Sequence, residues 1–185
     1  MMAFRTRIIP ATVLPLLLMG LAAAGCVKHV PKVAIPEKDA SPPKIVWEIY
    51  KLQTKERREI QQDGESFVVA PGDLYVVTLT VEDLESGVKE VSLTGNADYK
   101  CEQGGKVEEQ KYPVEPQMQK AGPDLENKAP VTASLSYSVD QSKHGCTEHQ
   151  RFGGGTISLT GKGQNFLNGG GTKTLRITLQ PHPSS

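Results

Sequence analysis

Aromatic side chains are scarce in this 185-residue chain, at 5%, with Trp47 the single tryptophan. That is too few for a carbohydrate-binding face, and Trp47 is expected to pack in the core of the first strand. Net charge is absent as well: 21 Lys and Arg stand against 21 Asp and Glu. Without a basic excess the chain lacks the electrostatic footprint that nucleic acid requires. Long hydrophobic runs are also missing. The main apolar stretch, from Ile8 to Leu21, is broken by Pro10 and Pro15. As a helix it would reach only ~21 Å at ~1.5 Å per residue, short of a ~30 Å hydrocarbon core. Catalytic signatures are lacking too, with no G-x-S-x-G elbow and no H-E-x-x-H. The glycine triplets at 153–155 and 169–171 neither open a helix nor run directly into Lys-Ser/Thr, so they are turns and not phosphate loops. The chain reads as a non-enzymatic protein without a cofactor.

What is present begins at the amino end. MMAFRTR carries Arg5 and Arg7 and no acid; the apolar stretch follows, and small residues Ala22 to Gly25 lead into Cys26. A positive segment, a short apolar segment and a small-residue cleavage site describe a secretory signal over 1–25. The tetrad AAGC, ending at Cys26, resembles the lipobox of bacterial lipoproteins, with Ala23 where leucine is usual. The resemblance implies that the Cys26 thiol is acylated with palmitate-type chains and that the bond before it is cut. Two or three acyl chains, at about 0.8 kcal/mol per buried CH₂, anchor a domain firmly to a bilayer. Val27 after the cysteine, instead of Asp, implies sorting to the outer membrane where the envelope has two.

Removal of residues 1–25 takes away two arginines and no acid, leaving 160 residues with 19 basic and 21 acidic groups, a net −2. That is one domain of ordinary size. The lipidated cysteine and the following segment, 26–43, contain four prolines and read as an extended tether. Stretched out, its residues would reach ~50–60 Å. With Cys26 taken by lipid, Cys101 and Cys146 remain. In an oxidising compartment such a pair is expected to be a disulfide.

From residue 44 to 180 the chain reads as β. KIVWEIYKL (44–52) is β-branched and aromatic. DLYVVTLTVED (73–83) sets Tyr75, Val77, Leu79 and Val81 against Thr78 and Thr80. VTASLSYSV (131–139) alternates strictly, and VKEVSLTG (88–95), TISLTG (156–161) and TKTLRITL (172–179) complete the set. LQTKERREIQQD (52–63) is polar almost all round and reads as a solvated connection. One-face-apolar strands between Gly-rich turns predict an antiparallel sandwich. SPPKIVWEI, LTVEDLESGVKEVSLTG and TISLTGKGQNFLNGGGTKTLRITL resemble bacterial immunoglobulin-like modules. The resemblance implies an all-β, immunoglobulin-like sandwich of about seven strands, followed by a tail, 181–185. The polar segment 102–130 is a long insertion, either a loop with one edge strand near 106–112 or partly disordered. In such a topology Cys101, after the third strand, and Cys146, after the E strand, emerge at one end, in agreement with the disulfide.

Two groups of residues are candidate sites. The turns ESG and GQNFLNGGG place Glu85, Ser86, Asn165, Phe166, Leu167 and Asn168 where a partner, most simply another envelope protein, would be met. The alternative is a metal-handling lipoprotein using His144, Cys146 and His149, although zinc sites pair cysteines at closer spacing than Cys101 and Cys146. Glu82, Asp83 and Glu85 lack the spacing of a calcium loop, and KERRE (55–59) mixes signs, so it is no polybasic patch.

Overall fold

The computed structural model describes residues 30–38, 41–143 and 145–181. The signal segment 1–25, Cys26 and His144 lie outside the described residues. The regular elements among the described residues are strands, β1 Lys32–Ala34, β2 Lys44–Lys51, β3 Arg57–Ile60, β4 Ser66–Val69, β5 Leu74–Glu82, β6 Val88–Gln103, β7 Lys106–Lys120, β8 Lys128–Pro130, β9 Thr132–Asp140, β10 Arg151–Asn165 and β11 Gly170–Leu179, with one 3-10 turn at Gln141–Lys143. A five-stranded sheet, β4-β11-β10-β6-β7, faces a four-stranded sheet, β3-β2-β5-β9, and β1 and β8 form a separate ribbon.

Period-two alternation makes this a sandwich. In β5, Val77, Leu79 and Val81 are fully buried. On its other face Thr78 and Thr80 meet the hydroxyls of Ser136 and Ser134 on β9 at 3.2 and 3.0 Å. The opposing sheet sends in Leu93, Leu159, Leu175 and Ile177, and Trp47 is fully enclosed between the two. Its indole Nε1 donates to Lys173 O at 3.4 Å. The sheets close over this ring because Gly161 and Gly163 face inward: a Cβ would stand 2.5 Å from Leu79 at the first and 2.6 Å from Val81 at the second.

The all-β sandwich expected from the sequence is therefore present, with nine strands in its two sheets where about seven were expected. One extra strand comes from the segment 52–63, which contains β3. Another is β4, which joins β11 in the one parallel pairing. The edge strand considered near 106–112 is present as β7, Lys106–Lys120, within 102–130. That segment is mostly sheet: β7 pairs with β6 from Gln103↔Lys106 to Glu90↔Lys120, with one bulge between Leu93 and Gly95. Only Val114 of β7 is buried. An edge strand protected by Pro113, Pro116 and charged side chains is polar on both faces, which hides it from an alternation test. β10 likewise runs on to Asn165, shortening the expected 163–171 turn to 166–169.

The expected tether is also partly folded. β1 pairs antiparallel with β8, Lys32↔Pro130 to Ala34↔Lys128, and Val131 N donates to Pro31 O at 2.9 Å. The incoming chain is thus fixed to the domain from residue 31 onward. This ribbon lies at the end of the sandwich that carries the β5–β6 turn, the 121–127 loop and the β10–β11 turn. The Cys101–Cys146 disulfide lies at the opposite end, near the end of β6.

Candidate functional site

The turns chosen from the sequence are built around two buried polar side chains. Asp83 follows β5, and its Oδ1 accepts from the backbone N–H of Glu85, Ser86 and Gly87 at 3.1, 2.7 and 3.1 Å. Its Oδ2 accepts from Asn165 Nδ2 at 3.0 Å. Asn165 is fully buried; its Oδ1 accepts from Leu167 N and Gly169 N, and its Nδ2 also reaches Ser41 O. The two turns and the entry to β2 are therefore one hydrogen-bonded unit. Ser86 and Asn165 are enclosed in it and hold the turns in shape, so they offer no surface to a partner. Phe166 and Leu167 are half-buried, while Glu85 and Asn168 are exposed. Asn168 takes a left-handed φ of 67° and accepts from Lys89 Nζ.

At the other end Cys146 is bonded to Cys101, and the loop carrying it packs under Tyr112, whose hydroxyl lies 3.0 Å from Gly145 O. His149 is exposed. Among the described residues no three His, Cys, Asp or Glu side chains converge as a metal site would require.

A site that the sequence does not announce lies on the flank between the sheets. β3 and β4 are both short edge strands, and between them opens a cleft of about 380 Å³ lined by Ile49, Lys51, Arg57, Phe67, Val68 and Tyr75, among others. Phe67 and Tyr75 meet edge to face at 5.5 Å and form part of its apolar wall. Around it, Lys51 Nζ donates to Asp73 Oδ2 at 2.8 Å, Arg57 lies 3.6 Å from Glu48 and 5.3 Å from the Tyr50 ring, and Arg58 pairs with Glu65. The bond to Asp73 holds the Lys51 ammonium above the usual lysine range, and burial raises the Tyr75 hydroxyl. Each cation has a carboxylate beside it, so the rim carries little net field. Arg176 N donates to Glu65 O and Gln180 N to Val69 O, which turns the odd-numbered residues of β4 toward β11. In a parallel strand the N–H and C=O of alternate residues point to opposite edges. Those of Ser66 and Val68 therefore point outward, where β4 has no second neighbour among the described residues. The sequence signal was slight: SFVV between GE and the turn APGD is a four-residue alternation with little around it to support a strand.

No protein-family model matches the chain, and no curated protein matches it in sequence. Among solved structures, the sporulation control protein Spo0M from Bacillus subtilis aligns at 8% identity and a TM-score of 0.33. The alignment covers 77% of this chain and 51% of that one, so the chain spans about half the length of the structure it matches.

Proposed function

We propose that this chain is a lipid-anchored, non-enzymatic protein of the bacterial cell envelope, acylated at Cys26, whose sandwich binds an extended segment of another envelope protein. The observation that carries the reading is the flank cleft. An outward-facing strand edge at Ser66 and Val68 borders an apolar wall formed by Ile49, Phe67 and Tyr75. Main-chain hydrogen bonds along such an edge supply affinity, and pockets for alternate side chains supply selectivity. The lipobox-like tetrad supports the anchor, and the signal segment supports export. The metal-handling alternative loses its sulfur ligand, because Cys146 is bonded to Cys101.

A photo-reactive residue at Ser66, introduced into the full-length protein in living cells, tests the binding reading. It is expected to give one discrete protein adduct, whereas the same residue at Thr94, exposed on β6, gives none. No adduct at 66, or the same products from both positions, rejects it.

A further inference from the structure

The end of the sandwich that receives the incoming chain also displays its most exposed leucines. Leu125 is completely exposed and Leu84 is 67% exposed, and Val30, the first described residue, is 39% exposed. Neither leucine sits on a loose loop. Leu84 lies in the turn closed on the buried Asp83 carboxylate. Leu125 lies in a second turn of the same kind, in which Asp124 Oδ1 accepts from Glu126 N at 2.9 Å and Lys128 N at 2.8 Å. Both turns adjoin the β1–β8 ribbon: Lys32 pairs with Asp124, and Gly87 lies against Ala129. An apolar side chain held outward by a closed, hydrogen-bonded turn is available for burial in another phase at little further ordering cost.

Chain length says which phase that is. Pro31 is already hydrogen-bonded to the domain through Val131, so the connection from Cys26 spans five residue steps, at most ~17 Å when fully extended. We infer that this end of the domain rests on the bilayer, with Leu84 and Leu125 seated in its interfacial layer beside the lipid anchor. The inference rests on the acylation of Cys26 proposed above. The two lysines beside Leu125 are paired with carboxylates, Lys32 with Asp124 and Lys128 with Glu126, so the seating proposed is apolar and is tested on uncharged lipid. It also turns the disulfide end away from the membrane and leaves the flank cleft accessible from the side.

The test uses the full chain, acylated in cells and reconstituted into phosphatidylcholine vesicles with bromine in the acyl chains. Leu125→Trp, Leu84→Trp and, as the control at the opposite end, Leu74→Trp are compared over the buried Trp47 background. The first two are expected to emit further to the blue and to lose at least half of their added emission to bromine, and L74W to be unaffected. Acylated protein in which L125W and L84W are unquenched overturns the inference while leaving the anchor standing. A blue shift without quenching, which marks cover by protein such as a second copy, overturns it as well. Intact mass showing no fatty acid on Cys26 overturns the anchor and the inference together.

Discussion

The Asp83 carboxylate and the Asn165 carboxamide meet at 3.0 Å, 82 residues apart in sequence and both buried. Removing the carboxylate strands several N–H donors at once, each costing about 1–3 kcal/mol when buried and unpaired. Asp83→Ala is therefore expected to lose more than about 3 kcal/mol of stability in urea unfolding, a size reserved for broken buried networks. Glu85→Ala, at an exposed position in the same turn, is expected to change little.

The Cys101–Cys146 bridge closes a separation of 45 residues. Chain entropy assigns such a crosslink about 4 kcal/mol. At ~2–4 °C per kcal/mol for a chain of this size, Cys101→Ser/Cys146→Ser is expected to melt ~8–16 °C lower. Calorimetry of oxidised wild type against the double variant measures this directly.

Acid should weaken the fold through two exposed turns. The Asp63 carboxyl is held below its usual range by the N–H and hydroxyl of Thr174, and that of Asp124 by the Lys128 N–H and then Lys32. A carboxyl with a depressed folded-state pKa stabilises above its unfolded value, and that contribution is lost as pH falls through the folded value. Denaturation midpoints are thus expected to drop below about pH 4, the ordinary carboxylate range. Asp63→Asn with Asp124→Asn should flatten this acid limb and leave the neutral plateau nearly level.

Gly161 and Gly163 let the two sheets approach at Trp47, Leu79 and Val81. Gly161→Ala puts a methyl into filled space and is expected to cost about 1–3 kcal/mol. Gly122→Ala, with open space around it and an ordinary φ, is expected to be neutral.

Val68→Pro removes an N–H that faces away from β11. Proline is tolerated on such an edge, so the melting temperature should move by no more than a few degrees while the adduct formed from position 66 disappears. Val69→Pro, whose N–H faces β11, is expected to unfold the edge instead.

The strands that bury one full face were legible in the sequence. β2, β5, β9 and β11 alternate because each lies with one side on the core. What escaped was whatever gains its order from a neighbour and not from its own pattern. β7 buries only Val114 and exists because β6 pairs with it along its length. β3 buries only Ile60, and β1 buries nothing fully. Gly163 read as a turn residue because a missing side chain looks the same in a turn as in a tight core. Among the candidate binding residues, Ser86 and Asn165 proved to be interior because polarity alone does not distinguish a turn's surface from the hydrogen bonds that close it. The flank cleft depends on two edges meeting, which only the tertiary arrangement reveals.

The β1–β8 ribbon is three residue pairs long, and an anchor at Cys26 would load it from its Pro31 end. A pull on the amino terminus would peel these pairs one after another, the geometry in which a short ribbon yields at low force. If Cys26 is acylated as proposed, peeling lengthens the leash from ~17 Å to ~50–60 Å, and the distance the domain could travel from that anchor would be set by a clasp six residues in size.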